Sequence, residues 1–192
     1  MIIGLTGKNG AGKTKVVDYL KSKGFETFSL SDILRKEVRK KGLAEERENL
    51  IKIGNELREK YGPGILAKLA LDKTKRKDKI AIDSIRNPYE IEELKKSIDF
   101  ILIGIDAPVE LRYKRIIDRK RVGENISLEQ FIEIEEKENS EDGKKQQLNK
   151  CLKLADKIIE NTGTVEELYQ KIDFVLKNEI PPFAPLTSQH IH

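Results

Sequence analysis

Tryptophan is absent from this 192-residue chain, cysteine and methionine occur once each, and the two histidines are His190 and His192. The single Cys151 excludes an internal disulfide and fits a reducing compartment; on a helical pattern it reads as a small buried hydrophobe. With so few soft ligands, a Cys/His zinc centre has nothing to be built from. No apolar run approaches the roughly 20 residues of a membrane-spanning helix, and the first residues form strand and loop with no room for a signal peptide, so a soluble cytoplasmic protein is expected. Charge of one sign is also scarce: Lys+Arg number 37 and Asp+Glu 33, and a net +4 does not call for DNA or RNA. Abundant Lys and Glu beside little Cys and Met suggests heat adaptation, because ion-pair networks gain relative worth as charge desolvation becomes cheaper on heating.

What the chain does have is Gly7-Lys8-Asn9-Gly10-Ala11-Gly12-Lys13-Thr14, directly after the apolar run Ile2-Ile3-Gly4-Leu5. A glycine-rich turn by itself often serves only chain reversal. Here the order of strand, glycines, Lys, Thr and then an amphipathic helix is that of a phosphate-binding loop. Glycines let backbone N–H groups from Gly7 to Thr14 turn inward around phosphate oxygens, and the helix adds its positive end. Lys13 is expected to reach the β- and γ-phosphates of ATP, and the Thr14 hydroxyl to ligate Mg²⁺.

Short apolar runs alternate with stretches of helical period, the pattern of a parallel sheet covered by helices in one α/β domain. Strands are expected at 2–6, 26–30, 79–84, 100–106 and 157–160, and the first helix should stop at Gly24. Asn87-Pro88 with Glu90, Ser127 with Gln130 and Thr164 with Glu167 mark helix starts. Residues 32–75 are helical in pattern, with Leu50, Ile53, Leu57 and Tyr61 on one face and a break at Gly62-Pro63-Gly64; this excursion is the natural place for a second substrate. The domain is expected over 1–178, with a lid near 112–139; the tail 179–192, with three prolines, reads as a linker stub, disordered end or added residues.

The third strand delivers Asp83 at its carboxyl end, where a carboxylate organising Mg²⁺ belongs, although an aspartate there also simply caps a turn. Arg86 is placed to hold an acceptor phosphate, or else to form a surface ion pair. After the second strand, Asp32 is expected to orient or deprotonate an acceptor oxygen and Arg35 to grip its phosphate; alternatively Ser31 is an N-cap and Asp32 a helix-dipole partner. Arg112, Arg115 and Arg119 share one helical stripe beside Val109, Tyr113 and Ile116, and the segment continues through Arg121. Lid arginines neutralise a transferring phosphoryl group; a solvated basic face is the alternative, and one or two of these arginines are expected to act. The basic run 73–79 lacks interleaved aromatics and reads as an exposed loop.

This ordered set, with Asn161-Thr162-Gly163 after the fifth strand, resembles the nucleoside monophosphate kinase group of P-loop proteins over residues 1–178. Ile3-Gly4-Leu5-Thr6-Gly7 is similar to dephospho-coenzyme A kinases. Asn55-Glu56-Leu57-Arg58 with Tyr61-Gly62-Pro63-Gly64 is closer to adenylate-kinase-related proteins, which adds Arg58 to the acceptor side. Gln146-Gln147-Leu148-Asn149-Lys150-Cys151 resembles the kinase-like domain fused to deoxycytidylate deaminases. The resemblance implies a three-layer α/β/α fold with five parallel strands in order 2-3-1-4-5, ATP and Mg²⁺, and a base pocket near Asn161 and Gly163. Lacking His-x-Glu and Pro-Cys-x-x-Cys, the chain has no deaminase centre of its own, but a partner domain could join near Pro181. The expected activity is phosphoryl transfer from ATP to a (deoxy)nucleoside monophosphate. Dephospho-coenzyme A is the rival acceptor, and a nucleotide-sensing module without turnover is the rival class.

Overall fold

The computed structural model describes residues 1–74, 78–97, 99–118, 126–137 and 139–179. Five strands, β1 (Ile2–Thr6), β2 (Glu26–Ser29), β3 (Ile80–Asp83), β4 (Phe100–Asp106) and β5 (Lys157–Glu160), form one parallel sheet in the order β2-β3-β1-β4-β5. Both the order and the strand positions agree with expectation; the differences are single residues at strand ends.

Parallel strands covered on both faces are buried along their length and largely apolar, and β1 is buried at every position. Ile3 and Leu5 point to one face, where α1 (Lys13–Ser22) and α9 (Val165–Glu179) pack through Val16, Leu20, Leu168 and Ile172. Ile2 points to the other, with Ile80, Ile82 and Leu102, beneath α2 (Leu30–Lys40), α4 (Ile65–Thr74) and α5 (Pro88–Lys95). Cys151, on α8 (Leu148–Lys153), joins this second core fully buried, as a small hydrophobe.

Helix ends follow their local chemistry. Asn87 and Glu90 form a full capping box, and Ser127 with Gln130 and Thr164 with Glu167 exchange reciprocal side-chain-to-backbone hydrogen bonds. Gly24 follows α1 at φ +85, a conformation that a Cβ would strain. The helical excursion comprises α2, α3 (Arg47–Tyr61) and α4, broken at Gly62. Two expectations change here. Tyr61 is 52% exposed because it is the last residue of α3, beyond the reach of the layer that buries Ile53. Ser31 is not an N-cap: Ser29 holds that position and α2 has already begun at Leu30, which puts Asp32 in its first turn.

Of the segment expected to form a lid, the described residues form α6 (Val109–Asp118) and α7 (Leu128–Lys137). Arg119 and Arg121 lie outside the described residues, as do 75–77 of the basic run and the tail from residue 180.

Candidate active site

In the order β2-β3-β1-β4-β5 the chain reverses direction across the sheet at β1, and the carboxyl ends of the strands open a crevice there. The phosphate loop leaves β1 at this point. Its shape depends on residues without side chains. Gly7 has φ +146, and a Cβ there would sit 2.1 Å from the Ile105 carbonyl oxygen; Gly12, the N-cap of α1, has φ +110 with the Asn161 amide 2.3 Å from where a Cβ would lie. Lys13 arches over the loop, its Nζ donating to the carbonyls of Gly7 (2.5 Å) and Lys8 (2.9 Å).

Two long-range contacts hold the loop from outside. Asn161, buried after β5, donates Nδ2 to the Ala11 carbonyl at 2.8 Å. Arg112, 2% exposed, donates Nη1 to the Asn9 carbonyl at 3.2 Å and Nε to the Ala107 carbonyl, and pairs with Glu135 of α7. Arg112 is therefore not a free lid arginine, as the stripe suggested: it is consumed in fixing the loop, because a buried guanidinium needs its carboxylate and carbonyl partners. Arg115 donates to the Asn161 carbonyl at 2.9 Å, beside the loop. Gly163, in the same turn, lies against Glu167, whose Oε2 is 1.6 Å from where a Cβ would stand.

A cleft runs from Gly10, Gly12, Lys13 and Thr14 to Asp83 and Arg86, with Asp32 and Arg35 on its far wall. Asp32 and Arg35 are paired with each other at 2.6 Å and are both well exposed. Asp83 accepts from the Ser84 hydroxyl through Oδ2, while its Oδ1 is buried with no hydrogen-bond partner. Asp83, with its orphaned carboxylate oxygen, and Thr14 both line this cleft, and the pair fits Mg²⁺, which takes few protein ligands and completes its shell with phosphate and water. Among the described residues no cluster of three or more His, Cys, Asp or Glu could hold a metal by itself. Ser84 has φ +66, the only positive φ outside glycine among the described residues, and receives a hydrogen bond from Ser29.

A second pocket shares Ser31, Ser84 and Arg86 with the cleft and extends under α3. Its walls are Leu30, Leu34, Leu50 and Leu66; its deepest polar group is Arg58, 2% exposed. Arg58 donates Nη2 to Glu90 at 2.9 Å, yet its Nε and Nη1 are buried without partners. Glu90, fully buried, also accepts from the backbone N–H groups of Arg86 and Asn87, so one carboxylate fixes both the arginine and the loop after β3. Sequence reasoning missed Glu90, Glu135, Gln146 and the serines Ser29 and Ser84. The capping spacing marked Glu90, but its partner is 32 residues away and no local pattern marks that pair.

Residues 6–133 match the family model described as AAA domain. The UPF0200 protein of Sulfurisphaera tokodaii is 35% identical over 176 residues, covering 92% of this chain and 96% of that protein. The chain belongs to the UPF0200 family. The UPF0200/UPF0201 protein of Archaeoglobus fulgidus is 33% identical, and the match spans 54% of its length. Among solved structures, shikimate kinase from Acinetobacter baumannii superposes with a TM-score of 0.56 at 24% identity, covering 94% of this chain and 95% of that one. At that identity the likeness concerns the fold: this UPF0200 member has the architecture of a P-loop kinase. No helix among the described residues is long and apolar enough to cross a membrane.

Proposed function

We propose that this chain transfers the γ-phosphoryl group of ATP to a small anionic acceptor, and that the acceptor is a (deoxy)nucleoside monophosphate. The observation that carries the reading is Arg58: a guanidinium with two unpartnered nitrogens, buried in a pocket that adjoins the phosphate cleft. A buried charge is costly unless something pairs with it, and Glu90 occupies only one of its nitrogens. An anionic acceptor completes the set.

In this reading the loop amides and Lys13 bind the donor phosphates, and Thr14 and Asp83 hold Mg²⁺, which when bound neutralises charge between the phosphates. Arg86, on the wall common to both pockets, and Arg58 hold the acceptor's phosphate. The bond from γ-phosphorus to the bridging oxygen breaks as an acceptor phosphate oxygen bonds to phosphorus, and ADP leaves. A monophosphate with a second pKa of about 6 already presents an ionised oxygen at neutral pH, so no base is required. Asp32 then positions Arg35 and the acceptor, and Arg115 supports the donor side through Asn161. Gly163 is assigned to the base pocket, and the lid role expected of Arg119 falls outside the described residues.

The test is transfer of labelled γ-phosphate from ATP with Mg²⁺ to ribo- and deoxynucleoside monophosphates and dephospho-coenzyme A, beside Lys13→Ala. Labelled nucleoside diphosphate that depends on Lys13 supports the reading. Label on dephospho-coenzyme A alone would replace the acceptor, and ATP binding without transfer to any compound would leave a sensing module.

A further inference from the structure

The segment 139–147 between α7 and α8 is polar, and the functional reading above makes no use of it. The structure straps it across the acceptor pocket. Asn87 donates Nδ2 to the carbonyls of Gly143 (2.6 Å) and Lys145 (2.7 Å), and the Gln147 N–H donates to the Arg86 carbonyl (2.8 Å). Asn139 and Gln147 form an antiparallel bridge, and the Ser140 N–H donates to the Gln146 carbonyl. These bonds leave Gln146 little freedom, and its side chain, 9% exposed, lines the pocket.

The orientation of that amide follows from its neighbour. Arg86 donates Nη1 to Gln146 Oε1 at 3.2 Å, and because a guanidinium has no acceptor the reverse assignment would place donor against donor. The Nε2 group therefore faces away from Arg86, and no hydrogen bond from it to a protein group is seen among the described residues. Every charged side chain lining the pocket is an arginine, namely Arg47, Arg58 and Arg86. The nearby carboxylates are engaged elsewhere: Glu90 is taken by Arg58 and two backbone N–H groups, and Asp83 lines the phosphate cleft instead.

We infer that Gln146 determines specificity by donating Nε2 to a carbonyl oxygen of the acceptor, so that a uracil or thymine monophosphate is taken in preference to its cytosine counterpart. The inference rests on the nucleotide-acceptor reading above. An exocyclic amine at that edge would meet a donor and leave both groups unsatisfied in a buried site, whereas a carbonyl pairs. The apolar walls from Leu30, Leu34, Leu50 and Leu66 suit a flat ring.

UMP against CMP, and dTMP against dCMP, compare the two edges on rings of similar size. The wild-type protein is expected to favour the carbonyl member of each pair by about tenfold in kcat/KM. Gln146→Glu keeps one oxygen on Arg86 and turns the other, now an acceptor, toward the substrate, so the preference should fall to parity or invert. Gln146→Leu, lacking any polar edge, should bring each ratio close to one. A wild-type protein that phosphorylates CMP as well as UMP, or a Gln146→Glu protein with the original ratio, would overturn the inference and leave the kinase reading intact. Silence toward every nucleoside monophosphate would instead remove the acceptor reading, and the inference with it.

Discussion

The two halves of the site are built differently. On the proposed donor side, eight consecutive residues offer backbone N–H groups, one lysine and one hydroxyl. On the proposed acceptor side the groups come from α2, α3, the loop after β3 and the strap before α8, and the buried charge, Arg58, depends on a carboxylate 32 residues away. A backbone-built site is specified by local conformation and tolerates little change in its glycines. A side-chain-built site is specified by packing and is open to variation in what it recognises.

The largest expected effect lies on the donor side. Lys13→Ala should lower phosphoryl transfer by about 100-fold or more, measured as single-turnover rate at saturating acceptor. Next is Gly7→Ala, whose methyl would meet the Ile105 carbonyl; destabilisation of roughly 3 kcal/mol or more is expected by chemical denaturation, with nucleotide binding lost. Glu90→Gln probes the other half by leaving Arg58 without its counter-charge, at a cost of about 3 kcal/mol, and it should weaken acceptor binding more than ATP binding. If ATP binding suffered more, the division between the halves would be false. Asn161→Ala removes the brace on Ala11 and should cost about 1–3 kcal/mol in stability with a parallel loss of ATP affinity. The smallest effect concerns Cys151. Burial holds its thiol well above the ordinary range, so the folded protein should resist thiol reagents at neutral pH, and labelling should follow the unfolding transition.

The same division explains what the sequence made legible. The phosphate loop, the strands and three helix starts are written in contiguous residues, and the structure bears each out within a residue or so. The place of Asp83 at the carboxyl end of β3 was readable because the strand that delivers it is one contiguous apolar run. Which of the stripe arginines is engaged elsewhere was not readable: helical phase put Arg112 on a basic stripe with Arg115, and only the approach of Glu135 from α7 decides that it is buried. Gln146 was singled out only through a resemblance, and its place in the pocket is set by Asn87 and Arg86, some sixty residues earlier. Local chemistry marks the phosphate loop, whereas the pocket around Arg58 emerges only when distant elements meet.

Arg58→Lys tests the central claim most directly. A lysine keeps a positive charge beside Glu90 while removing the unpartnered Nε–H and Nη1–H donors, so the fold and the donor half should survive. ATP affinity and the kcat/KM for the acceptor are measured on the same preparation. The account predicts ATP affinity within about twofold of wild type and acceptor kcat/KM reduced by at least about tenfold. An unchanged kcat/KM, or an equal loss in both quantities, would contradict the assignment of this pocket to the acceptor.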